Sequence, residues 1–361
     1  MRQMKIALFS FFNDCYSGGR IHAWFIAEGL ANRGHDVTVF TNQKPGFIKD
    51  FTCYPAHEKI WIEILDNFCT SVIKAAFDVV VLVPDQCGDF HYYFNVIEFA
   101  QRIGARLILI NFETPNWTEE LNRYVVDSTV ENGIWEASKF ADMILSSTLV
   151  SQEYAKKYFV FKGDANFEFC YPPIHTIIAD KVEVQRRQRC ICIISRFYPR
   201  HKNAHRLLEL ACKEMAGFDL ILIDGTNQMD RRAKQYYVEA CQRYNASFVY
   251  KACISEEEKF MLLKKSQLTL FPSMFEGFGL PPVESLYCGT PCIAFDLPVL
   301  KEVNGEALIY ARMGDFDDFR DKVRDCLSHL ERSGVNRKKV RYMGLFEGFS
   351  DRIDGVVQKL F

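Results

Sequence analysis

The stretch QLTLFPSMFEGFGLPPVESLYCGTPCIAFD, residues 267–296, holds a complete strand, loop, helix, turn and second strand. QLTLFPS is a short, nearly continuous apolar run, as expected of a strand buried on both faces. MFEGFG is its exit loop. Pro281 and Pro282 open a helix at positions where a missing N–H costs nothing, VESLYC continues it, and Gly289 stops it before the next strand, TPCIAFD. Strands joined this way lie parallel in one sheet, with helices covering both faces.

The same alternation runs outward in both directions. KIALFS, DVTVFT, DVVVLV, ARLILIN and ADMILSS form a first set of buried parallel strands, and CICIIS, FDLILID, ASFVYK, QLTLFPS and TPCIAFD form a second. Amphipathic stretches such as GRIHAWFIAEGLANRG separate them, with Gly34 as a helix stop. Between the sets, YPPIHTIIADKVEVQRRQR carries two prolines and then a charged, weakly periodic run, which places a linker near residues 172–189. The expected fold is therefore α/β, with two Rossmann-like doubly wound domains facing a central cleft. The boundaries fall at 1–172, 173–340 and a terminal helix over 341–361, spaced so that the helix can reach back to the first domain.

A chain of 361 residues is long for one core and suits two domains. With 44 basic and 46 acidic residues the formal charge is -2, which argues against a dedicated nucleic-acid binder. The apolar run near the start is short, ends at Asn13 and Asp14, and lacks a cleavage pattern, so it is not read as a signal peptide. No run is long enough to span a bilayer. The expected location is cytoplasmic, with peripheral contact at the inner face of a membrane left open, and oligomeric state is not legible. Thirteen cysteines without a CxxC are read as reduced, mostly buried thiols; Cys190 and Cys192 are expected on opposite faces of one strand. His201 and His205 have helical i, i+4 spacing but no HExxH glutamate, so no metal site is expected.

Three constellations carry chemistry. Gly18 and Gly19 stand between the first strand and the first helix, where a helix start offers N–H groups to a phosphate; a tight turn is the plainer reading. Arg196 and Lys202 follow the first strand of the second domain, as counter-charge for a diphosphate or as part of a solvated basic loop. Glu276 and Glu284 flank the N–H groups of Phe278, Gly279 and Leu280, so that a phosphorylated ligand seated there meets one carboxylate at each end. The plainer alternative leaves Glu284 favouring the helix dipole and Glu276 exposed.

These motifs resemble the retaining glycosyltransferases of family four, which have the two-domain GT-B architecture. The resemblance runs through ISRFYPRHKN, LILIDG, SEEEKFMLLKKSQLTLFPSMFEGFGLPPVESLYCGTPCIAFDLPVLKEV and EALIYARMGD, and more loosely through SGGRIHAWFIAEGLANRGHDVTVFT and ADMILSSTLV. The family's E-x7-E pair falls on Glu276 and Glu284. The resemblance implies that Glu284 holds the ribose of a nucleotide sugar and Glu276 contacts the sugar near the reacting centre. It also implies that Arg196 and Lys202 act as cations on the departing diphosphate, and that the loop at Gly18 and Gly19 approaches the donor. No metal or cofactor is implied; the partners are a nucleotide sugar and a glycan or lipid-linked acceptor, with no nucleic acid.

Two places depart from the family pattern. NFETPNW lacks the histidine that many members carry, which puts Glu113 or Thr114 in that acceptor-side role. VYKACIS lacks a glycine beside the base, leaving Cys253 and Ile254 there. The implied activity is transfer of a hexose from a UDP- or GDP-linked donor with retention, in surface glycan biosynthesis. A non-catalytic nucleotide-sugar-binding subunit and an epimerase of the same architecture are the alternatives. An NAD-dependent oxidoreductase is disfavoured by the missing GxGxxG.

Overall fold

The computed structural model describes residues 2–14, 16–84, 90–115, 128–185, 187–197, 200–330, 335, 340, 342 and 344–361. Contacts divide the chain into two compact units, Met1–Pro173 with Leu345–Phe361, and Ile174–Gly344.

The first unit has a seven-stranded sheet of β1 (Lys5–Phe9), β2 (Asp36–Thr41), β3 (Trp61–Ile64), β4 (Val79–Leu82), β5 (Arg106–Asn111), β6 (Met143–Ser146) and β7 (Asn166–Phe169). Their order is β3-β2-β1-β4-β5-β6-β7, and every pairing is parallel. β3 and β7 were not among the predicted strands. Both are four-residue edge strands with exposed or half-buried residues, so neither shows the continuous apolar run of a central strand.

The second unit repeats the plan with β8 (Cys190–Ile194), β9 (Asp219–Asp224), β10 (Ser247–Ala252), β11 (Leu268–Phe271), β12 (Cys292–Phe295) and β13 (Ile309–Ala311) in the order β10-β9-β8-β11-β12-β13, again parallel throughout. The chain direction across the sheet reverses between β1 and β4 in one unit and between β8 and β11 in the other. In doubly wound sheets that reversal point opens the ligand crevice beyond the carboxyl ends of the strands. In the second unit it lies between the loops that carry Lys202 and Glu276.

Several local readings change. The stretch taken as linker contains the helix Thr176–Lys181, which packs in the second unit. Cys190 and Cys192 share one face, as residues two apart in a strand must. Both sulfurs lie against the Ser266 hydroxyl, at 3.3 and 2.9 Å. Where the alternation of strands and helices calls for a helix after β8, the chain forms 3-10 turns, Arg200–Lys202 and Ala204–Leu210, separated by Asn203 in the left-handed conformation with φ 54°. That break also interrupts the period that would set His201 and His205 on one helix face.

The final helix, Phe346–Gln358, packs within the first unit against the helix Gly18–Asn32. Gly29 permits the approach: a Cβ there would meet Phe349 Cε1 at 2.9 Å and Ile353 Cγ2 at 3.1 Å. A buried polar contact fixes the register. His35 Nδ1 accepts from the Met4 N–H at 3.2 Å, so Nε2 carries the ring proton and donates to Asp354 Oδ1 at 2.9 Å.

Candidate active site

The loop after β8 and the loop after β11 are stitched together. Asn203 Nδ2 donates to the Pro272 carbonyl at 2.9 Å, and the Met274 N–H donates to the His201 carbonyl at 2.9 Å. These bonds bring Lys202 to Glu276, whose side chains meet at 2.6 Å between Nζ and Oε1, both largely buried. Arg196 sits at the mouth of the same loop and has no carboxylate partner among the described residues.

Glu276 is followed by Phe278, buried with its ring edge-on to Tyr342 at 5.9 Å. Gly279 then turns the chain with φ 88° and caps the helix Leu280–Tyr287, where Pro281 and Pro282 fill the first turn. The first N–H groups of that helix have no intrahelical acceptor and carry its positive dipole end.

Glu284 projects from this helix and is 4% exposed. Lys259, from the helix Glu256–Lys265, reaches its Oε1 at 2.7 Å. Glu256 Oε2 lies 2.6 Å from the same ammonium, as a close ion pair without hydrogen-bond alignment. Burial pushes the Glu284 carboxyl above its ordinary value, and the Lys259 charge pulls against that rise. For Lys259, burial acts to lower the pKa, but the two carboxylates outweigh it and the ammonium is held above the usual lysine range. Glu276 and Glu284 thus each have a lysine of their own.

The other predicted site residues are dispersed. Cys253 is exposed at φ 50°, its thiol directed to the Gly225 carbonyl, and Ile254 packs against an apolar cluster of the second unit. Gly18 and Gly19 open a helix in the first unit behind the Ser17 cap. A Cβ on Gly19 would meet the Phe112 ring at 3.3 Å, which places that turn beside the segment holding Glu113 and Thr114. Lys259 was not predicted. It lies in the run SEEEKF, which reads as a solvated helix face, and nothing in its spacing marks it as buried.

The His201 ring is buried edge-on to Phe275 at 5.9 Å, with Nε2 lacking a partner among the described residues. Burial first, then the charges of Lys202 and Arg196, lower its pKa to about 2. The unfolded chain takes up a proton near pH 6.5 and the folded chain does not, so this contribution is complete above pH 6.5 and is lost as pH falls toward 2. Denaturant titrations should show the second unit losing up to about 1.4 kcal/mol per pH unit below pH 6 from this group. A His201→Met variant should lose that share of the slope; an unchanged slope would remove His201 as the cause.

Among the described residues no group of three or more His, Cys, Asp or Glu is arranged to hold a metal ion, and no helix is long and apolar enough to cross a membrane. A cleft of about 530 Å³ lies elsewhere, in the first unit, between the segment at Asn67–Ser71 and the helix carrying Asn95 and Arg102. Much of its polar edge is spent internally: Asn95 donates to the Phe68 carbonyl and Arg102 to the Thr70 carbonyl. The charged loops beyond β8 and β11 are the stronger site on chemistry.

Two parallel doubly wound sheets define the class of fold, the Rossmann-like pair of the GT-B architecture. Residues 176–337 match the family described as Glycosyl transferases group 1. The chain is 24% identical over 147 residues to the O-antigen chain mannosyltransferase RfbU of Salmonella typhimurium, a match covering 41% of each chain. It thus spans less than half the length of that curated relative. Among solved structures it superposes on sucrose-phosphate synthase from Thermosynechococcus elongatus with a TM-score of 0.75 at 17% identity, covering 100% of this chain and 99% of the other. Anabaena HepE in complex with UDP-glucose gives 0.68 at 13% identity, covering 99% and 98%. These structural likenesses establish the fold.

Proposed function

We propose that the protein is a retaining glycosyltransferase that moves a hexose from a nucleoside diphosphate sugar to a hydroxyl of a glycan or lipid-linked acceptor. The observation that carries this reading is the pair of lysine-bound carboxylates, Lys202 with Glu276 and Lys259 with Glu284, at the reversal point of the second sheet. The family match over residues 176–337 supports it, as do the mannosyltransferase relative and a neighbour bound to UDP-glucose.

In this reading the diphosphate lies against the helix start at Gly279 and Leu280, with Arg196 and Lys202 as counter-charge. Charge grows on the leaving phosphate as the sugar bond breaks, so these groups act most strongly in the transition state. Glu276 faces the sugar carbon as it becomes positive, and Glu284 accepts from the ribose hydroxyls. Lys202 exchanges part of its contact with Glu276 for phosphate when the donor binds. In the second unit Cys253 and Ile254 border the base; in the first unit the helix start at Gly18 and Gly19 is the donor-approaching loop, and Glu113 and Thr114 serve the acceptor. Transfer proceeds without a metal, because these cations and the helix end supply the electrostatic stabilisation.

A thermal-shift panel of UDP-glucose, GDP-mannose and their free diphosphates tests the reading. A cognate donor at about 100 times its Kd should stabilise the fold by roughly 2.7 kcal/mol. Absence of any shift across the panel at millimolar donor would overturn it.

A further inference from the structure

Lys259 has no assigned task in the reaction just described, yet it occupies a costly position. Its side chain is 12% exposed, Glu256 and Glu284 flank it, and among the described residues no second cation pairs with either carboxylate. Burying an ammonium between acids is tolerated when the pairing is close, and it does not by itself argue for stability. The two helices have separate supports. Ser255 caps the lysine's helix by accepting from the Glu258 N–H at 3.2 Å, whereas Gly279 and the two prolines set the helix of Glu284. Lys259 is thus a cross-brace that holds a side chain of one helix from another.

We propose that Lys259 is a positioning residue for nucleotide binding: bridging Glu256 and Glu284, it fixes the Glu284 carboxylate as an ionised acceptor for the two ribose hydroxyls of a nucleoside diphosphate. This rests on the reading of Glu284 as the ribose grip. A carboxylate presents acceptors only, whereas a carboxylic acid carries a proton and a different hydrogen-bond pattern. With one oxygen engaged by Lys259, the carboxylate has one orientation to offer the sugar. Burial favours the acid form of Glu284, and the ammonium opposes it.

The other groups facing this cluster do not change charge near neutral pH. Burial, and next the Lys259 charge, holds the His175 ring neutral; burial, and next Glu284, pushes the Cys288 thiol up to about 12. The charges of Lys264, Lys259 and Arg187 act on the same thiol in the opposite sense. Removing Lys259 therefore makes the ribose contact depend on pH through Glu284: weakest in acid, recovering as base ionises the carboxyl.

The test is calorimetric titration of the full chain with UDP, GDP and their 2′-deoxy forms at pH 6, 7.5 and 9. The wild-type protein should prefer the ribo form of its nucleotide by at least about tenfold at every pH. Lys259→Met, or Lys259→Gln if the first does not fold, should lose that preference at pH 6 and 7.5 and regain part of it at pH 9. Lys259→Arg should keep it. A preference that survives in both neutral variants overturns the inference, as does a loss that is the same at all three pH values, which is what a merely structural role produces. Glu284→Ala separates the two levels. If it retains the ribo preference, or if neither nucleotide binds the wild type, the ribose reading falls and takes the inference with it. If it loses the preference while the Lys259 variants keep it, the inference alone falls.

Discussion

Replacing Glu276 by glutamine is expected to lower the turnover of the proposed transfer by about 10²- to 10³-fold, the scale of removing one preorganised electrostatic contact from a transition state. The substitution keeps shape and hydrogen-bonding capacity. Glutamine still offers an oxygen to Lys202, now 2.6 Å from the glutamate, so the stitched loops should stay in place. What is lost, on the proposed reading, is the negative charge facing the sugar carbon, which matters only as the carbon becomes positive. The effect should therefore fall on kcat, with donor KM changed by a few fold at most. Thermal melting should fall by a few degrees, because the largely buried Lys202 ammonium loses its counter-charge and keeps only a hydrogen bond to the amide oxygen. The measurement is release of nucleoside diphosphate from the cognate donor with acceptor present. A variant that turns over at the wild-type rate would take Glu276 out of the chemistry.

Replacing Gly279 by alanine is expected to cost stability and donor binding together. At φ 88° the backbone is in the left-handed region, where an L side chain costs roughly 1–2 kcal/mol. The added Cβ would also stand 2.4 Å from Leu300 Cδ2, and Leu300 is fully buried. Moving it means overpacking the core beside β12, which typically costs about 1–3 kcal/mol. The two effects together come to roughly 2–5 kcal/mol, or a drop in Tm of about 5–15 °C for a unit of this size. Relief of the strain shifts the helix start on which the proposed reading seats the diphosphate. Melting and donor titration on the same sample check both effects. An alanine variant that melts with the wild type would show that the turn tolerates another conformation.

Much of this was legible beforehand because the signals are local. A buried parallel strand is a short apolar run, and ten such runs stand out in the sequence, LILID and CIAF among them. Gly279, Pro281, Pro282 and Gly289 mark a helix by what their backbones permit, and the helix Leu280–Tyr287 lies between them. The failures are also local. Trp61–Ile64, Asn166–Phe169 and Ile309–Ala311 are short edge strands, partly solvated and absent from the predicted set, and their sequences do not distinguish them from loops. HKNAHRLLEL has the composition of a helix, yet Asn203 adopts a left-handed backbone and donates its amide to Pro272, and the helix gives way to 3-10 turns. A long-range hydrogen bond outweighs a weak intrinsic preference there.

By itself the sequence determined the two doubly wound sheets, the turn at Gly279 and the presence of Glu276 and Glu284 around it. Those depend on periodicity and on the backbone freedom of single residues. Only the tertiary structure decided which charges meet. Lys202 reaches Glu276 across 74 positions, Lys259 reaches Glu284 across 25, and His35 meets Asp354 across 319. Parallel strands joined by crossover helices bring distant loops to one end of a sheet, so neighbours there are set by strand order and not by spacing along the chain. Burial then turns such a meeting into a pair, since a charge removed from water must find its counter-charge within the fold.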